Sequence, residues 1–134
     1  MPHPGPVERP PATPAVRPDV IVDFSVDHGL LIVALHNIGA LSAYDVTTTF
    51  NHPFHGLGGR QEISALPLFR AVPFMPPGKR IGQLVDTAHA YFQRDEPTRL
   101  VATISYADRD GHRYSEAVPH DLTVYRDLTD VLPH

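Results

Sequence analysis

Cysteine is absent from the 134 residues. That removes disulfide scaffolds, thiol nucleophiles and thiolate zinc sites from consideration. Tryptophan is absent too, and aromatic residues make up only 8%, which leaves little for a row of sugar-stacking rings. Of eleven basic residues only Lys79 is lysine, and the net charge is −4. A chain of that sign is poorly suited to a nucleic-acid backbone, so no nucleic-acid partner is expected. No apolar run exceeds Leu30–Leu35, far short of a membrane span. The first residues contain no apolar stretch of the secretory type, which leaves the cytoplasm as the default compartment. What is present is ordinary for a globular domain: 42% hydrophobic and 19% charged residues. A chain of this length buries roughly two-thirds of its surface on folding, enough for one core.

Proline divides the chain. Pro2, Pro4, Pro6, Pro10, Pro11, Pro14 and Pro18 crowd into residues 1–18. Such a stretch cannot run a helix or a sheet interior, so it reads as a flexible, polyproline-like arm. Its functional reading is a ligand for a proline-recognition groove.

From residue 19 to residue 125 short apolar stretches alternate with turn signals. Val20, Val22, Phe24 and Val26 alternate with Ile21, Asp23 and Ser25, as in a half-buried strand. Asp27-His28-Gly29 turns the chain, and Leu30–Leu35 reads as a strand covered on both faces. Ala43–Phe50 places Tyr44, Val46, Thr48 and Phe50 on one face, with three threonines favouring strand. Ile63–Val72, interrupted by Pro67, reads as an edge strand. Pro76-Pro77-Gly78-Lys79 is a type II turn pattern leading into a strand over Arg80–Asp86. Thr87–Gln93 fits either one or two helical turns or more strand. Arg99–Ala107 alternates cleanly, Asp108–Gly111 turns, and His112–Val118 pairs back, with Leu122–Tyr125 as a resumed strand. Residues 126–134 form a tail.

About seven strands spaced by about ten residues predict an all-β fold: an immunoglobulin-like, two-sheet antiparallel sandwich. The tight turns make the first two strands neighbours in one sheet and the last two neighbours in the other. The Gly39 segment then crosses between sheets.

The stretch Leu31-Ile32-Val33-Ala34-Leu35-His36-Asn37-Ile38-Gly39, followed by Ala43-Tyr44-Asp45-Val46, resembles bacterial immunoglobulin-like modules of the CARDB type. Pro77-Gly78 before the fifth strand fits the same pattern. The hairpin from Ile104 to Glu116 is similar to that of other bacterial immunoglobulin-like domains. The resemblance spans about residues 19–125, and implies an adhesion, spacer or assembly domain without catalysis.

Candidate chemistry is sparse. His52 and His55 share a loop, and with His112 or His120 they form the basis of an alternative reading as a small metal-binding protein or metal-dependent enzyme. Asp108, Asp110 and Glu116 beside His112 offer an acid/base or calcium group, and Asp108-x-Asp110-Gly111 is superficially similar to the start of a calcium loop, but the position needing a bidentate Glu is Pro119, so a capped turn is the better reading. No G-x-S-x-G elbow or phosphate loop occurs, and Gly56–Arg60 reads as a flexible loop. The apolar pairs Leu68-Phe69, Phe74-Met75 and Tyr91-Phe92 lie near expected sheet edges and suit a protein contact. The sequence therefore predicts a non-enzymatic protein-binding or assembly module with no assigned catalytic, cofactor or metal residue. Its partner is a protein, a second copy included. A carbohydrate-binding module is a further alternative.

Overall fold

The structure is a computed structural model that describes residues 16–126. Most of the flexible-arm expectation (residues 1–15) and of the tail (residues 127–134) lies outside the described residues. Within them the fold is all-β with two short helices. Strands β1 (Val20–Asp27), β2 (Leu30–Asn37) and β7 (Arg80–Thr87) form a sheet in the order β1-β2-β7. Strands β3 (Ala43–Phe50), β6 (Val72–Met75), β8 (Arg99–Ala107) and β9 (Arg113–Asp121) form a second, in the order β6-β3-β8-β9. All their pairings are antiparallel. The two-residue strands β4 (His55–Gly56) and β5 (Gln61–Glu62) make a separate small ladder. The first and last hairpins sit in different sheets, and the Gly39 segment carries the chain between them. One core joins both sheets: Val22, Val33 and Leu35 from the first meet Val46 and Ile104 from the second.

Local chemistry explains the elements. His28 (φ 50°) and Gly29 (φ 78°) both take the left-handed conformation that a two-residue type I′ hairpin requires. Gly78 (φ 84°) closes the Pro-Pro-Gly turn, where the Lys79 amide donates to the Pro76 carbonyl at 3.0 Å. Thr87–Gln93 resolves as helix: Thr87 Oγ1 accepts from the Ala90 amide at 3.0 Å and caps α2 (Ala88–Gln93). Tyr91 on α2 then enters the core.

Three local expectations are corrected. The edge strand over Ile63–Val72 is instead a 3-10 turn (Ile63–Ala65) and a one-turn helix α1 (Pro67–Arg70), with strand starting only at Val72. Pro67 occupies the first helical position, where its missing N–H costs nothing, so it starts a helix rather than marking an edge. Leu122–Tyr125 is a 3-10 turn, not a resumed strand, because Asp121 Oδ1 takes the Thr123 amide (3.0 Å) and hydroxyl (2.6 Å). Tyr44 does not share a face with Val46. The pairing Tyr44↔Ala107 and Thr47↔Ser105 puts an extra residue into β3, and Asp45 takes φ 53° to absorb it. The bulge buries Ala43 with Val46 and Thr48 and turns Tyr44 outward to meet Phe74.

Candidate functional site

The strand registers give the molecule two ends. At one lie the start of β1, the end of β2, the crossover to β3 and the β8–β9 turn. Here Asn37 is fully buried. Its Oδ1 accepts from the Asp19 (3.1 Å) and Gly39 (3.0 Å) amides, and its Nδ2 donates to the Leu41 and Met75 carbonyls, both at 2.9 Å. Its own amide donates to Lys79 O (2.9 Å), and its carbonyl accepts from Gly78 N (2.8 Å). One neutral side chain thus ties three chain segments together, at Asp19, at Gly39–Leu41 and at Met75, with no polar atom wasted. Gly39 is required beside it, because a Cβ there would run into the Arg17 carbonyl oxygen. Arg17 lies over the Tyr114 ring at 4.9 Å, and Tyr114 stacks on Tyr106 at 5.6 Å.

This rigid end carries exposed apolar surface. Ile38 is 53% and Phe74 49% exposed, with Leu41 beside them at 36%. The Tyr44 and Phe74 rings sit 5.4 Å apart at 47°. A shallow groove of about 220 Å³ runs along Ala40, Leu41, Ser42, Tyr44, Pro77 and Arg109. Of the three apolar pairs noted in the sequence, Phe69, Met75 and Tyr91 point into the core, while Leu68 and Phe92 are half-buried and Phe74 is the exposed member.

Arg109 projects from the hairpin that Asp108 builds. Asp108 Oδ1 accepts from the Asp110 (2.9 Å) and His112 (3.0 Å) amides, and its Oδ2 from the Tyr114 hydroxyl (3.1 Å). His112 Nδ1 lies 3.2 Å from the same oxygen. Although desolvation raises the Asp108 pKa, these donors outweigh it and hold it below the ordinary range. Asp108, Asp110 and His112 bring ligand atoms within 4.8 Å of one another, the metal-compatible grouping found among the described residues. Both Asp108 oxygens accept from donors of the turn itself, as in an Asp-capped hairpin. Glu116 is outside that group.

The other end is ionic. Asp86 Oδ2 accepts from the Gly58 amide (2.9 Å) and from Arg94 Nη1 (2.8 Å), and its Oδ1 from the Thr87 amide (2.8 Å). Burial alone would raise its pKa, but those donors hold it below the ordinary carboxylate value. Arg94 Nη2 reaches the His55 carbonyl at 3.1 Å, and its buried Nε has no hydrogen bond, only Glu96 Oε2 at 3.7 Å. Glu96 Oε1 accepts from the His55 amide at 2.9 Å and stands 3.6 Å from His55 Nδ1. Burial, seconded by Glu96, pushes the Tyr91 hydroxyl far above its usual value, and it donates to the Pro97 carbonyl at 2.6 Å. Gly56 lies so close to Val85 that a Cβ would meet its carbonyl oxygen. The Gly56–Arg60 loop, expected to be free, is instead fastened: the Leu57 amide donates to Val85 O (2.8 Å), and Gly58 to Asp86.

The structure brings together only some of the histidines that the sequence singled out. His52 and His120 line one open cleft of about 540 Å³, with Arg99 and Asp121. The His120 ring packs edge-on against Phe24 at 5.2 Å with Nε2 buried and unpartnered, and burial lowers its pKa against a weaker opposing pull from Asp23. His55 is turned to Glu96. His112 immediately precedes β9, about 26 Å from His120 at the strand's extended rise. The structure therefore does not gather His112 with the His52–His55 loop. Sequence reasoning missed the Asp86–Arg94–Glu96 cluster. Its signal was available: three charges bracketing a Thr-capped segment, in a chain only 19% charged.

A family model described as a domain of unknown function, DUF8453, matches residues 11–126. Nothing matches among the curated proteins or among the solved structures.

Proposed function

The chain belongs to the DUF8453 family, and from that premise we propose that it is a non-enzymatic, immunoglobulin-like assembly module whose contact surface is the Asn37 end. Strand order supports the immunoglobulin-like part. Reading β1, β2, β3, β6, β7, β8 and β9 as A, B, C, C′, E, F and G gives A-B-E facing C′-C-F-G. The observation that carries the binding part is Phe74. A large aromatic, half exposed on an edge strand and paired with a second ring, is the kind of anchor that protein contacts use. Around it the crossover and the Pro-Gly turn are held by Asn37, so the surface is preformed and little is lost in ordering it. Elsewhere the charged clusters are engaged in fastening loops, which supports a structural role for them.

The partner this reading favours is a second copy. Sedimentation of the full chain over a concentration series tests it. The wild type is expected to approach twice 14.8 kDa, and Phe74→Ser with Leu41→Ser to remain at one chain while keeping the wild-type circular dichroism. A wild type of single-chain mass at every concentration would sink the self-assembly reading.

A further inference from the structure

We propose that the cleft where β3 ends and β8 begins binds a small zwitterion, an α-amino acid with an apolar side chain, between Arg99 and Asp121. The cleft lies at the end of the second sheet opposite Asn37, so this inference stands or falls independently of the assembly surface.

Strand register builds the site. Asn51 follows β3, Arg99 opens β8, and Asp121, the register partner of Arg99, closes β9. Opposite charges directly across a ladder normally join. Here Arg99 Nη2 and Asp121 Oδ2 stop 3.9 Å apart, beyond hydrogen-bond reach. The Arg99 side chain is 82% exposed, and its guanidinium donates to no described residue. Asp121 Oδ1 is taken by the Thr123 hydroxyl and amide, while Oδ2 accepts from no described residue. Those two Thr123 donors also hold the Asp121 pKa below its ordinary value, so the carboxylate stays charged at neutral pH. A donor fork and a free carboxylate oxygen are thus held side by side with a gap between them. The carboxylate and ammonium of one small molecule fill such a gap with charge-assisted hydrogen bonds.

Asn51 and His52 close the third side. The Asn51 amide donates to Val101 O (3.1 Å), and Asn51 Oδ1 accepts from Val101 N (2.8 Å). That fixes the side chain and leaves Nδ2 as a further donor. His52 is exposed and has no polar partner among the described residues. Val101 and Pro119 add apolar wall for a side chain. The volume, about 540 Å³, falls within the range of small-molecule sites, about 300–1,000 Å³.

Charge selects among ligands. Asp121 flanks Arg99 on one side, and Asp95 lines the adjoining depression that shares His52 and Arg99. A phosphate dianion meets two carboxylates there, and a simple cation meets Arg99. A molecule carrying both charges meets an opposite charge at each end.

The test follows backbone amide resonances of the full chain by NMR during titration with L-leucine. Isocaproate and isoamylamine, which keep the same apolar group but only one charge each, are titrated alongside. L-Leucine is expected to shift the Asn51, Val101 and Asp121 amides saturably, with each single-charge analogue binding about tenfold more weakly. Arg99→Gln removes no fastening and should leave resonances outside the cleft unchanged. It should weaken L-leucine about tenfold without weakening isoamylamine. Absence of a saturable L-leucine shift at these amides overturns the site. Equal binding of the three compounds, or tighter binding of inorganic phosphate, overturns zwitterion recognition. Unchanged L-leucine affinity in Arg99→Gln overturns the role of Arg99.

Discussion

The two ends of the molecule are fastened by opposite chemistry. At one, Asn37 ties Asp19, Gly39, Leu41 and Met75 together through neutral hydrogen bonds, every capacity used. At the other, Asp86, Arg94 and Glu96 hold the Gly56–Gly59 loop and the α2 end with charges, one buried nitrogen going without a hydrogen bond. A neutral amide needs no counter-charge and does not titrate, so it makes a fastening independent of pH and salt. An ionic cluster holds only while its members keep their charges. Ile38, Leu41 and Phe74 are exposed beside the neutral fastening, whereas Leu30 and Leu57 are exposed toward the ionic one.

The largest effect should come from Asn37→Leu, which keeps the branched shape and heavy-atom count but orphans four backbone groups. A loss of about 4 kcal/mol is expected in urea unfolding. A loss under about 1 kcal/mol would mean that water replaces Asn37, and the contrast between the ends would collapse. Arg94→Met should cost less at neutral pH, about 2 kcal/mol, because the cluster is partly open to water and its screening.

Acid sharpens the contrast. The Asp86 pKa is depressed in the folded state, so its contribution is full above the unfolded value of about 4 and disappears as pH falls through the folded value. The stability gap between wild type and Asp86→Asn should therefore close on acidification, whereas the gap for Asn37→Leu should hold. A gap for Asp86→Asn unchanged down to pH 2 would show that its backbone hydrogen bonds, not its charge, matter. The smallest effect expected is a gain. Asp45→Gly relieves a left-handed residue at the β3 bulge (φ 53°) and should add about 0.5–1 kcal/mol, read as a raised urea midpoint. A loss would mean that the Asp45 side chain itself supports the bulge.

Most of the framework could be read from residue order, for definite reasons. Val20–Val26 and Arg99–Ala107 alternate because each strand has one buried face, and Gly29, Gly78 and Gly111 sit where the turns demand positive φ. Reading failed where alternation was broken by something non-local. Ala43 and Val46 are both buried although three apart, which only a bulge allows, and the misplacement of Tyr44 hid half of the exposed ring pair. The Asn-x-Gly at 37–39 was visible as a strand exit. That its amide reaches Met75, 38 residues away, was not. The carboxylate beside His55 belongs to Glu96, 41 residues on, and nothing near His55 in the sequence announces it.

Periodicity, turn residues and the crossover at Gly39 are local properties, and by themselves they determined an all-β chain with its first and last hairpins in different sheets. Which polar groups meet, which aromatic ring stays outside and which loop is pinned were decided only by the packed structure. Those outcomes depend on distances between segments remote in sequence, set when two sheets close on one core.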